Sequence, residues 1–307
     1  MEEAVQVLQS ALEKEPTNAL ISDFLIDILD HHMPNVEARG PHAKAQEALQ
    51  RVTLEYEGTP MIIDEAVQRL YQQCHGIIGP LGSTNHPTQI WRGKNVDMGC
   101  NRHLMLFDTF NIISEYCFGC YKVSIEPRTV VELIKLMLVF DNLKLPNDNT
   151  RKCMVEARPE ISGTYKGLIY CRSLDEGKDI LKIVQAMVGE KISDKIPVTV
   201  KRGCSEYPIA YPEYGLIEDN GPSPMTYREE WREQEDYADK KLIGHVYPQV
   251  FDTHNHSGLS LRDALVMRTW LAYAATIGDL NYIKVSGSPM PKLRIEKRTL
   301  FQPVEDE

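Results

Sequence analysis

The chain has 307 residues, 44 acidic against 34 basic, for a net charge of -10, and 42% of it is hydrophobic. That is enough apolar material for one large or two small domains, so neither disulfide nor metal is needed merely to hold a fold. The acidic balance argues against a duplex nucleic-acid footprint, which needs a concentrated basic face. The longest apolar run, residues 130–140 (VVELIKLMLVF), is interrupted by Glu132 and Lys135 and is too short to span a bilayer. Seven cysteines, an odd number and sparse for a disulfide scaffold, fit a reducing compartment. The amino terminus, MEEAVQVLQSALEKEP, has no basic or apolar signal region, so the expectation is a cytoplasmic protein.

Residues 1–116 read as a mostly helical region. In its first segment Ala4, Leu8, Leu12 and Pro16 stand where the second helix of a tetratricopeptide repeat places similar types. The resemblance covers one half-repeat with no second copy, so it implies a helix pair rather than an array, and a surface on which a protein partner could dock. Residues 76–99, rich in Gly, Pro, Thr and Asn, read as a loop, and 101–116 as one further helix.

From 117 to 206 the period changes. CYKVSIE alternates Tyr121, Val123, Ile125 with Lys122, Ser124, Glu126, which predicts a half-buried strand. A helix follows through RTVVELIKLMLVFD, then two strands, RKCMVEAR and TYKGLIYC, joined by the turn PEISG. Ser173 and Glu176 stand at capping-box spacing before a helix that Gly189 closes, and IPVTVKRG is a last strand, placed at an edge by Pro197. The order β-α-β-β-α-β predicts an α+β, ferredoxin-like unit with sheet order fourth, first, third, second. Residues 207–307 read as an extension: a Tyr- and Pro-rich loop, two helices, and a closing hairpin from NYIKVS and KLRIEKR. This extension is expected to cover the sheet face that carries Lys122, Ser124 and Glu126.

In that topology Cys117 and Cys120 precede the first strand, Cys171 ends the third and Cys204 follows the fourth, so all four reach one edge of the sheet. Four thiolates, two of them in a C-x-x-C, suit tetrahedral zinc or an iron–sulfur cluster. Gly119 and Gly203 would allow close backbone approach, and Lys201 and Arg202 would offset thiolate charge. Aromatic residues Tyr116, Phe118, Tyr121 and Tyr170 would shield the site. Cys153 is expected opposite Ile169, as an alternative ligand or a reactive thiol. Cys100, about 24 Å away along an unbroken helix, is left out. The competing expectation is ordinary core packing of buried cysteines.

Other motifs carry less. Asp252, His254 and His256 form an H-x-H loop, with His256 a weak candidate acid–base group, and Arg92, Lys94, Arg102 and His103 follow a glycine-containing loop that lacks phosphate-loop spacing. The expected function is a cytoplasmic, cysteine-ligated metalloprotein with a 4Fe-4S cluster, acting in redox or sulfur chemistry on a small molecule or carrier protein, without nucleic acid or membrane. The alternative is a zinc-stabilised adaptor or assembly protein without catalysis.

Overall fold

A computed structural model describes residues 2–16, 18–29, 40–54, 60–82, 88–93, 98–158, 160–217, 225–241 and 259–293. In chain order it contains α1 (Glu2–Lys14), α2 (Ala19–Asp27), α3 (Gly40–Leu49), α4 (Asp64–Ile78), β1 (Gln89–Arg92), α5 (Cys100–Phe110), β2 (Tyr121–Ile125), α6 (Val130–Asn142), β3 (Arg151–Val155), β4 (Tyr165–Cys171), α7 (Leu174–Lys191), β5 (Val198–Arg202), α8 (Tyr207–Ala210), α9 (Arg232–Lys241), α10 (Leu261–Ile277) and α11 (Tyr282–Ser286). The fold is mixed α+β. Among the described residues no helix is long and apolar enough to cross a membrane.

The five strands form one sheet in the order β1-β3-β4-β2-β5, and every neighbouring pair is antiparallel. The four strands expected between 117 and 206 keep their expected order. Pro197 precedes β5, which lies on an edge where the missing N–H costs no ladder bond. The start of β2 lies beside the ends of β4 and β5, since Tyr121 pairs with both Cys171 and Arg202.

α6 and α7 cover one face of this sheet, burying Val123, Ile125, Ile169 and Val155. Thr129 caps α6 and Ser173 caps α7, each accepting the N–H three residues on. α6 comes unusually close to β4: a Cβ on Gly167 would stand 2.4 Å from Leu136 Cδ2. α6 is buried on nearly every side, because the sheet lies under it while α4, α10 and α11 pack over it. Its one buried cation, Lys135, bonds Asp64 of α4 at 2.6 Å. Ser260 and Asp263 form a reciprocal capping box at the start of α10, and Gly278 ends that helix in the left-handed region. α1 and α2 pair through Val5, Leu12, Leu25 and Leu29, as the helix-pair reading expected.

Four expectations change. Residues 89–92, read as loop, form β1, which adds a fifth strand beside β3 because Ile90 and Trp91 have alternating faces to fill. The helix expected over 101–116 stops at Phe110, where Asn111 turns left-handed at φ 52°, and the chain then re-enters as a short 3-10 turn, Glu115–Gly119. Tyr282–Ser286, expected as a strand, is the short helix α11, closed by Gly287 at positive φ, and most of its expected hairpin partner lies outside the described residues. Cys153 pairs with Gly167, and Arg151 takes the place opposite Ile169, since the β3–β4 loop is longer than the turn PEISG.

Candidate functional site

The second sheet face carries Trp91 of β1, Lys152 and Met154 of β3, Lys166, Leu168 and Tyr170 of β4, Lys122 and Ser124 of β2 and Lys201 of β5, by strict alternation with the residues that face the helices. This face is not left to solvent. Lys122 is 4% exposed, Ser124 3% and Lys166 4%. Met154, Leu168 and Tyr170 form a small apolar cluster there, with Trp91, Met98 and Cys120 packed against it.

Four cysteines gather at the edge of this face. The left-handed break at Asn111 reverses the chain, so the start of α5 brings Cys100 into the same cavity as Cys204. Cys117 sits in the 3-10 turn with its Sγ 3.4 Å from Tyr207 Oη, while Tyr214 Oη donates to the Cys117 carbonyl at 2.6 Å. Cys120 accepts the Gly203 N–H at its carbonyl, which ties the C-x-x-C turn to the end of β5. Lys122 Nζ donates to Cys204 Sγ at 3.4 Å. The sulfurs lie near enough to act on one another. Burial chiefly, then the Cys204 and Cys120 sulfurs, push Cys100 up to about 11; burial and the same two neighbours raise Cys117 well above the ordinary thiol range. Burial also raises Cys120, against the pull of Lys122.

Gly203 is required here. At φ +53° its Cβ would lie 2.0 Å from Tyr214 Oη, displacing the hydroxyl that holds Cys117. Gly119 has ordinary φ and open space around it, so the expectation of close approach holds for one glycine of the two. Phe118 is enclosed by Tyr214, Tyr227 and Trp231, and the Arg202 guanidinium lies 4.8 Å over its ring while donating to its carbonyl. The Tyr-rich segment from Tyr207 to Tyr214 therefore packs directly on the C-x-x-C turn.

Lysines make the site's field. Lys122 and Lys201 stand directly opposite each other across β2 and β5, an arrangement that is repulsive on a buried face unless negative charge lies nearby. Burial, then Lys122, push Lys152 down to about 8, and burial with Lys122 and Lys166 pushes Lys201 down to about 7. Burial alone would lower Lys122 as well, but the neighbouring Cys204 sulfur and the Tyr170 oxygen hold it well above the usual lysine range.

These opposed shifts make stability depend on pH. Lys152 and Lys201 are depressed in the folded state, so above about pH 7 the unfolded chain binds more protons and stability rises with pH. Cys74, Cys100, Cys117, Cys120, Cys153 and Cys171 are all raised, so their contribution is complete below the unfolded thiol value of about 8.5 and declines above it, where these six groups outweigh the two lysines. The urea midpoint of metal-free protein is expected to climb from pH 7 to about 8 and to fall again by pH 9.5, with a slope on the order of 1 kcal/mol per pH unit near neutrality. A midpoint flat across that range contradicts the buried lysines.

Cys117, Cys120 and Cys204 lie around the start of β2 and the end of β5, and Cys171 borders a neighbouring cavity together with Cys120. Cys171 ends β4 on the helix-facing side, in the main core, with its Sγ directed to the Ile169 carbonyl at 3.7 Å. Cys153 is likewise in the helix-side core, 1% exposed, where burial raises it far from a reactive state. Cys100, excluded on the length of an unbroken helix, lines the same cavity as Cys204. Among the described residues no three His, Cys, Asp or Glu side chains are grouped as the ligands of a single ion.

Asp252, His254, His256 and Lys94 lie outside the described residues. Arg92 is committed to Asp141 and to Asp263 at 2.7 Å, and Arg102 to Asp239 and Glu235, so neither is available to a loop-bound anion. α9, read as a solvated helix, buries Ala238 and Glu235 instead, and Glu235 receives the Ser114 hydroxyl and the Glu115 N–H. Lys152, Trp91 and Cys100 had no signal in the sequence, because each depends on β1 or on the break at Asn111. Compared with known proteins, the chain matches no family model, no curated protein and no solved structure.

Proposed function

We propose that this protein is an iron–sulfur protein in which Cys100, Cys117, Cys120 and Cys204 hold a 4Fe-4S cluster at the edge of a ferredoxin-like βαββαβ unit spanning residues 117–206, and that it serves redox or sulfur chemistry on a small molecule or carrier. The carrying observation is the convergence of four thiols from three chain segments, with the Lys122 ammonium on the Cys204 sulfur. The strand order β5-β2-β4-β3 supports the ferredoxin-like part.

The donor set fits such a group. A single zinc draws its four sulfurs to within about 3.8 Å of one another, as follows from Zn–S bonds of about 2.3 Å. A cluster assigns one thiolate to each of four irons and needs a wider spacing than a single ion does. Four thiolates also need positive charge, and Lys122 and Lys201 face each other at this edge with no carboxylate among the described residues bonded to either ammonium. Tyr207, Tyr214 and Phe118 exclude water and strengthen those interactions. When bound, the cluster would supply one-electron transfer.

Anaerobic purification followed by iron and acid-labile sulfide analysis and a visible spectrum tests this. Brown protein with about four irons and four sulfides per chain is expected. Colourless protein with stoichiometric zinc supports the structural-adaptor alternative, and protein without metal overturns both.

A further inference from the structure

Between the strands of the second face and the residues that follow β5 lies a cavity of about 160 Å³, walled by Lys122, Lys152, Lys166, Arg158, Tyr170 and Trp91, with Cys100 and Cys204 at one end and Glu156 and Glu206 at the other. Its charges do not balance. Arg158 is paired with both Glu156 and Glu206, and Lys166 leans on Glu156 at 3.7 Å. Two cations and two carboxylates thus cancel, which leaves Lys122 and Lys152 without an acidic partner among these groups. Lys122 rests on the Cys204 sulfur and over the Tyr170 ring, 4.7 Å from its centroid. Among the described residues Lys152 reaches only the Gln89 amide oxygen, at 3.2 Å, and the Trp91 ring, at 4.7 Å. Holding two such ammonium groups out of water is costly unless an anion joins them.

We propose that this cavity is a binding site for a small oxyanion of sulfate or phosphate size, held between Lys152 and Lys122 beside the cysteine edge. The volume admits a tetrahedral oxyanion and excludes a nucleotide, and the Trp91 and Tyr170 rings, stacked at 5.8 Å, form an apolar wall that removes competing water. Charge-assisted bonds from two preplaced ammonium groups in such a setting are the strong kind. The burial-depressed state of Lys152 agrees with a lysine whose counter-charge is a ligand rather than a side chain. The inference goes beyond the cluster reading and does not depend on it, because the lysines and the cavity stand whether or not the thiols carry iron.

Calorimetric titration of the full-length protein with sodium sulfate and, separately, sodium phosphate, in a low-salt buffer free of either, tests the site. Saturable one-to-one binding is expected. Lys152→Gln should weaken it about ten-fold or more and Lys152→Arg should restore most of it, while the exposed Lys182→Gln leaves it unchanged. Iron and sulfide content is measured on the same samples. Binding that is sensitive to Lys152 in iron-free protein upholds the anion site and removes the cluster. Full iron with no sulfate or phosphate binding, or equal binding by Lys152→Gln, overturns the anion site alone.

Discussion

If the protein carries the cluster we propose, Cys100→Ser and Cys204→Ser are each expected to lose most of its iron and the visible absorption that accompanies it, while Cys171→Ser keeps both. The contrast rests on serine being a much poorer ligand to iron than a thiolate, and on Cys171 facing the helix-side core. Its Sγ faces the Ile169 carbonyl in the helix-side core, so Cys171→Ser costs about 1 kcal/mol in stability and nothing in iron. Cys153→Ser belongs with Cys171→Ser, since its sulfur lies in the same core. Iron and sulfide measured on the anaerobic proteins decide the matter. Retention by Cys100→Ser together with loss in Cys171→Ser would reinstate the set in which all four ligands come from strand ends, and would mean that the chain reversal at Asn111 is not the site's architecture.

Arg92→Met is expected to cost about 3–5 kcal/mol at pH 7.5 and clearly less at pH 5. Arg92 is 7% exposed at the end of β1 and bridges Asp141 of α6 and Asp263 of α10, so one side chain ties the sheet edge to two helices. Met fills the same space but leaves two buried carboxylates facing each other with no cation. Asp141 is already pushed up to about 6, by burial first and against the pull of Arg92. Without the guanidinium it rises further. A carboxyl whose folded value exceeds its unfolded one stabilises at low pH and loses that contribution as pH climbs through the folded value, so the deficit of Arg92→Met grows from pH 5 to 7.5. Urea midpoints at the two pH values measure this, and a deficit larger at pH 5 would show that Arg92 acts through packing alone.

Much of the sheet was legible because its strands have to satisfy a period of two. Tyr121, Val123 and Ile125 point into the helix layer and Lys122 and Ser124 away from it, and no other backbone state accommodates that alternation. The cap of α7 was equally plain, since Ser173 stands before the helix with Glu176 three residues on. The polarity of the second face was misleading. Cover for this face was expected from the carboxy-terminal extension, but the strand pattern gave no sign that Lys122 would be a buried cation beside sulfur. β1 was hidden by length: four residues in a Gly- and Pro-rich stretch show no period, and the strand exists because β3 offers it a free edge. The end of α5 was hidden for the opposite reason. Ile112 and Ile113 continue the apolar spacing, so nothing in the period marks the stop, and Asn111, one of the few residues that tolerate the left-handed region, was the single local cue. That one residue decides whether Cys100 stands far from Cys204 or lines the same cavity.

The Lys122–Cys204 contact joins positions 82 residues apart, across a strand that is the last to be added to the sheet. During synthesis the first three cysteines of the set are made early, yet they face an open edge until β5 has emerged and zipped on to β2. Contacts of such long sequence separation form late, once the loop-closure entropy between them has been overcome. The edge at the start of β2 is therefore completed only after β5 has been made, and a chain cut short before Cys204 would lack the Lys122–Cys204 contact that closes it.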